Sequence, residues 1–155
     1  VYAEQRVLQC LRNEYAYAFS ENKYPGIPEL ILHPIVNKPF IAEGTDIIPI
    51  RGYQMQLPVF GFRIGNFAYI TDMNMLPEEE LPKLQNLDIL VINALRKKKH
   101  ASHFNLSEAL AISAQLNPKS TYLTHISHMM GFHKEVEKEL PCNVKLAYDM
   151  LSVEL

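Results

Sequence analysis

The stretch that decides the fold is Thr121–His128, which reads TYLTHISH. Its first half has the apolar character of a buried strand, and the strand ends on two histidines that are three residues apart. Proteins with parallel sheets place their ligand-binding side chains just beyond the carboxyl ends of the strands. The stretch therefore predicts a buried strand that brings His125 to a functional site at the edge of a sheet.

Two other polar residues occupy the same position relative to predicted strands. Asp72 closes one strand, and His103 lies in the polar loop 95–104 that follows the apolar run Ile89–Ala94. If the three strands are parallel neighbours, their ends bring Asp72, His103 and His125 to one rim. A carboxylate with imidazoles suits zinc, manganese or iron. Spacing alone leaves open that the aspartate is a turn residue and that the loop histidine is merely solvated.

The remaining sequence has the pattern of a mixed sheet layered with helices. An amphipathic helix is predicted over residues 3–20, a short one over Pro77–Gln85 and another near His133–Leu140. A further helix should begin at Leu106, because Asn105 is followed three positions later by a glutamate, as in a capping box. The predicted strands are Leu30–Ile35, Phe40–Ala42, Asp46–Ile50, Val59–Ile64, Phe67–Thr71, Ile89–Ala94, Thr121–His125, Val144–Ala147 and Leu151–Leu155.

Composition favours one globular domain, residues 1–155, that is 48% hydrophobic and 21% charged. A net charge of −2 gives no reason to expect nucleic-acid binding. No apolar run reaches membrane length and no signal-peptide pattern opens the chain, so we expect a cytoplasmic protein. Cys10 and Cys142 fit no motif and are interpreted as structural thiols. Arg96–His100 is either a solvated loop or a patch that steers phosphate towards His103.

Several stretches resemble the metallo-β-lactamase-fold hydrolases. Residues 60–72 (FGFRIGNFAYITD) are similar to the metal-bridging aspartate segment of that superfamily, and residues 123–128 (LTHISH) to its last metal-ligand segment. Residues 100–106 (HASHFNL) resemble a loop of the phosphoribosyl cyclic phosphodiesterase branch, and residues 146–149 (LAYD) resemble its final strands. Together the matched stretches extend from about Ile47 to the end of the chain.

The resemblance implies an α/β fold, an αββα sandwich with a two-metal site at one edge. It implies that Asp72 bridges two zinc or manganese ions and that His125 holds the second. It also implies that hydroxide attacks the phosphorus of a small phosphodiester substrate and that His103 acts as the general acid on the leaving oxygen. His128 is interpreted as a supporting or structural residue.

Two features depart from the family pattern. The leading His-x-His-x-Asp-His motif is absent, and the first histidine of the chain is His33. A further ligand histidine is replaced by Gln54, which is neutral and a weak donor. We therefore expect this chain to form only the C-terminal part of the fold, which is incomplete at its N-terminus. We also expect the chain to be inactive as it stands and to be able to exist without a bound metal. An uncovered apolar sheet face would favour a homo-oligomer, unless an N-terminal portion exists beyond the represented chain.

Two alternatives to the phosphodiesterase follow from these departures. One is a metal-free scaffold or interaction module derived from the same fold, for which Gln54 is the best evidence. The other is a nuclease-type relative, such as a tRNA 3′-end processing endonuclease. The near-neutral charge and the lack of a basic RNA-binding arm count against the nuclease.

Overall fold

A computed structural model of the protein describes residues 1–20 and 24–154. Within this part, a seven-stranded mixed sheet is layered with helices, and two further strands form a small separate sheet that packs against it. The strands are β1 (Tyr2–Ala3), β2 (His33–Pro34), β3 (Phe40–Ala42), β4 (Thr45–Gln54), β5 (Leu57–Ile64), β6 (Phe67–Ile70), β7 (Ile89–Asn93), β8 (Ser120–Thr124) and β9 (Val144–Leu146). The α-helices are α1 (Gln5–Glu14), α2 (Leu106–Leu116) and α3 (His133–Val136), and the 3₁₀ turns are Ala16–Phe19, Glu78–Leu84, His128–Met130 and Glu137–Glu139.

The large sheet changes from antiparallel to parallel at β6. Strands β3 to β6 form an antiparallel meander, and β6 to β9 run parallel in sequence order. Ile70 of β6 pairs with Ile92 of β7, which pairs with Leu123 of β8, so the three strands end level with one another. The predicted parallel neighbours are therefore confirmed, as is the mixed sheet layered with helices.

One face of the sheet carries the core. Helix α2 packs over this face because its apolar side chains recur at helical spacing, and its N-terminus is fixed by a complete capping box. Asn105 Oδ1 accepts from the Glu108 backbone N–H and Glu108 Oε2 accepts from the Asn105 N–H, each at 2.9 Å. The predicted start of the helix is thus confirmed. The buried hydrophobic cluster comprises Ile50, Ala68, Ile70, Met73, Leu84, Leu87, Leu90, Ile92, Ala94, Phe104, Leu106, Ala109, Leu116, Leu123, Met130, Val136, Val144 and Leu146.

The opposite face of the sheet is open over its parallel half. The register places Tyr69, Val91 and Tyr122 side by side on this face, and 45% of Tyr69 is exposed. A cavity of about 320 Å³ lies against these side chains and is also lined by Leu151 and Val153. This face is therefore partly exposed in the described residues, and the expectation that it is a surface for association stays a prediction.

Several predicted elements differ from the observed ones. Residues 151–154 form no strand, because Leu151 and Val153 line the cavity over the open face instead of pairing; Leu155 lies outside the described residues. The predicted strand Leu30–Ile35 shrinks to β2, where Pro34 offers no N–H for further pairing. The helix predicted over residues 3–20 divides into α1 and a 3₁₀ turn, and the helix predicted near His133–Leu140 likewise divides into α3 and the turn Glu137–Glu139. The short helix predicted over Pro77–Gln85 is the 3₁₀ turn Glu78–Leu84.

Strand β4 continues four residues beyond the predicted end at Ile50, and this extension brings Gln54 to the sheet edge. Cys10 and Cys142 are free and exposed. In the described part of the chain, no helix has the length and hydropathy that crossing a membrane requires.

Candidate metal centre

The ends of β6 and β8 carry the two outer residues of the site. Asp72 follows β6 and His125 follows β8, and both have left-handed backbones, with φ of 58° and 59°. Left-handed conformations are uncommon for residues other than glycine, although aspartate and histidine adopt them more often than most. The chain turns sharply at both positions, and the two side chains come to the same rim.

The loop between β7 and α2 brings the third residue, His103. Its Nε2 lies 3.5 Å from Asp72 Oδ1, and His125 Nε2 lies 3.7 Å from the same oxygen. The two imidazole rings stack with centroids 4.6 Å apart. The side chain of His103 is 12% exposed, compared with 39% for His125 and 51% for Asp72. The structure therefore brings together the three residues that the sequence singled out.

A buried asparagine ties this arrangement together. Asn93 ends β7 with no exposed surface, and its side-chain amide bonds both the N–H (3.3 Å) and the carbonyl (3.1 Å) of Met73. Met73 in turn accepts from the Phe104 N–H at 3.0 Å, beside His103. The amide thus links the segment of Asp72 to that of His103. Sequence reasoning missed this residue, although an asparagine closing an apolar strand was a visible signal.

The ring of His103 has a hydrogen-bond partner on each side. Ser102 Oγ lies 2.8 Å from its Nδ1, and Gln54 Nε2 lies 3.2 Å from its Nε2. Ser102 also approaches His100 Nδ1, through its hydroxyl at 3.2 Å and its backbone N–H at 3.3 Å. Gln54 therefore lies in the site, which sequence comparison had indicated but spacing could not show.

Burial lowers the pKa of His103 below its usual range, since the desolvated ring disfavours a positive charge. The hydrogen bond and the charge of Asp72 act in the opposite direction, while His125 and His100 add repulsion. The neutral form of His103 is therefore favoured near pH 7 in the absence of a metal.

The basic loop is folded on itself beside the site. The Arg96 guanidinium donates to the carbonyls of Lys98 (3.2 Å) and Lys99 (2.8 Å), and Lys97 pairs with Glu139 at 2.6 Å. Phosphate steering by this loop stays a prediction. His128 is exposed at the start of its 3₁₀ turn and does not belong to the cluster.

The donor set fits one divalent ion. One ligand atom each from Asp72, His103 and His125 lies within 4.8 Å of the others. Asp72 and His125 supply a carboxylate and an imidazole to such an ion, and His103 can either complete a three-ligand site or, left unligated, face the position open to water or substrate. These donors are too few for two ions, which would need further donors.

Comparison with known proteins identifies the family of this fold. Residues 1–126 match the family model described as a beta-lactamase superfamily domain. The chain belongs to the beta-lactamase superfamily. Its resemblance to metallo-β-lactamase-fold hydrolases is confirmed, because solved structures of that fold superpose on nearly the whole chain.

Among solved members of the superfamily, a diphosphatase of the PhnP family is 31% identical, with a TM-score of 0.89 over 99% of this chain. Zn²⁺-bound PqqB from Methylobacterium extorquens is 13% identical with a TM-score of 0.71 over 99% of the chain, a likeness that shows the fold alone. Human tRNase Z, short form, is 16% identical with a TM-score of 0.67 over 99% of the chain, which again shows the fold alone.

A further relative is named for acyl transfer and not for phosphate hydrolysis. An octanoyltransferase of Porphyromonas gingivalis (strain W83) is 36% identical over 153 residues, which are 97% of this chain. The chain spans 31% of that protein, and it spans 57% of the PhnP-family diphosphatase and 64% of PqqB. These relatives are therefore considerably longer than the region they share with this chain.

Proposed function

We propose that this chain contributes to a metal-dependent hydrolase of phosphodiesters, with Asp72 and His125 as metal ligands and His103 as the catalytic residue. The observation that carries the proposal is the convergence of the three side chains within 4.8 Å at the ends of parallel strands. The likeness to a PhnP-family diphosphatase at 31% identity supports phosphate chemistry. The proposal includes a small phosphodiester as substrate and the cytoplasm as the setting.

Each residue has a separate task in this reaction. Asp72 and His125 would hold a zinc or manganese ion, which when bound polarises a phosphoryl oxygen and makes hydroxide accessible near neutral pH. His103 donates a proton from Nε2 to the leaving oxygen, since this nitrogen faces the same point as the ligand atoms. The low exposure of His103 limits the access of bulk water to that proton.

Metal binding is tested by titrating the purified chain with Zn²⁺ and with Mn²⁺ in a calorimeter. Asp72→Asn and His125→Gln should each weaken binding at least tenfold, because removing a ligand typically costs more than this factor. His128→Gln is the matched control, being exposed and outside the cluster. If the wild-type chain binds neither ion, or if the control weakens binding equally, the assignment of these ligands is wrong.

Hydrolysis is tested with bis(p-nitrophenyl) phosphate on the metal-loaded protein, including any longer form that carries additional ligands. His103→Gln should lower kcat about 100-fold, a typical contribution of a general acid. Removal of the metal with a chelator should abolish turnover, and re-addition should restore it. A metal-loaded protein that turns over at the same rate without His103 would contradict its catalytic role.

One observation favours a second candidate, a metal-free scaffold or interaction module. Gln54 lies in the site beside His103, where the family resemblance leads us to expect a ligand histidine. A neutral amide is a poor zinc ligand, so the site would bind metal less strongly than its relatives. The scaffold would be favoured over the enzyme if both the titration and the hydrolysis assay are negative.

A further inference from the structure

Gln54 is a polar side chain at the end of β4, on the face of that strand that carries the core. Side chains alternate between the two faces of a strand, and Ile50, four residues before Gln54, belongs to the buried cluster. Gln54 is partly buried, whereas Gln56 in the following turn is exposed. A partly buried amide on this face needs polar partners.

The side-chain amide of Gln54 has more hydrogen-bonding groups than the protein itself satisfies. Its Nε2 lies 3.2 Å from His103 Nε2, and within residues 1–20 and 24–154 this is the one hydrogen bond of the side chain. A primary amide carries two N–H groups and a carbonyl oxygen. Whichever way the amide and the imidazole orient this bond, at least one N–H of Gln54 remains for another acceptor.

The turn after Gln54 is anchored on the segments that carry the site. Asn74 Oδ1 accepts from the Met55 N–H at 2.7 Å, and Asn74 Nδ2 donates to the Ala101 carbonyl at 2.9 Å. Asn74 follows Asp72 by two residues, and Ala101 lies in the loop between β7 and α2. A side chain on a strand end that is held in this way loses less freedom when it binds a ligand.

We propose that Gln54 binds a non-bridging oxygen of the substrate phosphoryl group through a side-chain N–H. The Gln54 amide and the Asp72 carboxylate approach the same nitrogen of His103, at 3.2 and 3.5 Å, so Gln54 borders the point where the site residues converge. A phosphoryl group is anionic, and the Asp72 carboxylate repels it. A neutral donor at the border of the site supplies an attraction instead. This role rests on the proposed phosphodiesterase function.

The chemistry of an amide suits an anion better than it suits zinc. A hydrogen bond from an N–H to a charged acceptor is roughly twice as strong as one between neutral groups. The amide oxygen is uncharged, whereas zinc is held in proteins by thiolate, imidazole and carboxylate. We therefore expect the affinity for phosphate to depend strongly on Gln54 and the affinity for metal to depend on it little.

The contact is measured in the wild type from the side-chain amide signals of the ¹⁵N-labelled protein, assigned through the backbone. Inorganic phosphate should shift the amide signal of Gln54 and leave that of Gln56 unchanged, with sodium chloride of equal ionic strength as the control. Spectra are recorded with and without Zn²⁺. No shift of the Gln54 signal in either sample overturns the proposal. A shift in a protein without hydrolytic activity would support the phosphate contact and overturn the hydrolase function.

Titrations of variants separate phosphate binding from metal binding. Gln54→Ala should weaken the binding of inorganic phosphate to the Zn²⁺-loaded protein about tenfold or more, as expected for loss of a hydrogen bond to a charged acceptor, while Zn²⁺ affinity stays near the wild-type value. Gln54→Glu should weaken phosphate binding further, because a carboxylate repels the anion. Gln56→Glu makes the same charge change at an exposed position and is the matched control.

Turnover of the metal-loaded protein gives a third measurement. Gln54→Ala should raise KM with little change in kcat, since the bond to the phosphoryl oxygen is present in the ground state and in the transition state alike. Unchanged phosphate affinity in a folded Gln54→Ala overturns the proposal. A loss of Zn²⁺ affinity as large as that of Asp72→Asn would show that Gln54 is a metal ligand, and the proposal would then be wrong as well.

Discussion

At the scale of single residues, Asp72 and His125 share a backbone conformation as well as a site. Each stands where a strand of the parallel half ends, and each adopts a φ near 60°. Aspartate and histidine adopt this conformation more often than most other residues, so the chain can turn there at low cost. The same conformation recurs at five residues outside the cluster, and the case for function therefore rests on the side chains.

A second buried carboxylate, Glu80, has a structural task. Its oxygens accept from Asn37 (2.7 Å), from the Arg51 backbone N–H (3.0 Å) and from Lys83 Nζ (2.7 Å). Burial alone would raise the pKa of Glu80, but these hydrogen bonds outweigh it and lower the pKa below the usual range. Glu80 thus ties β4 to the turn Glu78–Leu84 while it is charged.

Replacing this carboxylate should destabilise the protein in a pH-dependent way. A group whose folded pKa is depressed stabilises the fold above its unfolded pKa, and that stability is lost as the pH falls through the folded value. Glu80→Gln should therefore lower the free energy of unfolding by about 1–3 kcal/mol at pH 7. The difference from the wild type should shrink as the pH drops below the ordinary glutamate range, at about 4.

Urea unfolding at neutral and acidic pH measures this difference. Glu79→Gln is the matched control, because that side chain is exposed on the same turn and should change stability by less than about 0.5 kcal/mol. A Glu80→Gln effect that is equally large at acidic pH would show that shape and packing, not charge, are responsible.

At the scale of elements, α2 depends on its cap. Asn105→Ala removes the side chain that receives the Glu108 N–H and should cost about 1–2 kcal/mol of stability. Because the first turn of the helix then loses the acceptor for its backbone N–H, amide hydrogen exchange should also accelerate in that turn. Gln115→Ala, an exposed change on the same helix, should leave both measurements nearly unchanged. Equal losses in the two variants would mean that the cap contributes little.

Local signals explain which elements could be predicted from the sequence. The capped start of α2 and the apolar run of β7 depend on neighbouring residues, and both were found at nearly the observed bounds. The last part of β4 lacks an alternating pattern and contains Gly52. That glycine is required by a distant contact, since an added Cβ would lie 2.4 Å from Met73 Sδ. Such contacts between separate segments are not visible in a local pattern.

The candidate site was likewise predictable where local signals determine it and not where distant segments meet. Asp72, His103 and His125 follow strands that proved to be parallel neighbours, so their convergence could be inferred from topology. The Asn93 clamp and the hydrogen bonds of His103 join loops that are 20 or more residues apart, and no spacing rule reveals them. The convergence of these three side chains could therefore be inferred from the sequence. The hydrogen bonds that orient them could be seen only in the structure.

At the scale of the whole molecule, the open face of the sheet is the surface where we expect association. Tyr69, Val91 and Tyr122 form an apolar surface beside a cavity of about 320 Å³. Exposed apolar patches of this kind promote contacts between molecules. We therefore expect the chain by itself to form a homo-oligomer whose sedimentation coefficient rises with protein concentration.

Tyr69→Lys should weaken this association on the order of tenfold or more, because it places a charge in the patch and removes an aromatic side chain worth about 1.5–3 kcal/mol when fully buried. Tyr24→Lys is the matched control, since Tyr24 is 73% exposed and does not line the cavity. Sedimentation velocity over a range of concentrations measures both variants. The folded monomer should keep its stability in Tyr69→Lys, because that side chain is already 45% exposed. A wild-type chain that stays monomeric at every concentration would show that this face does not drive self-association.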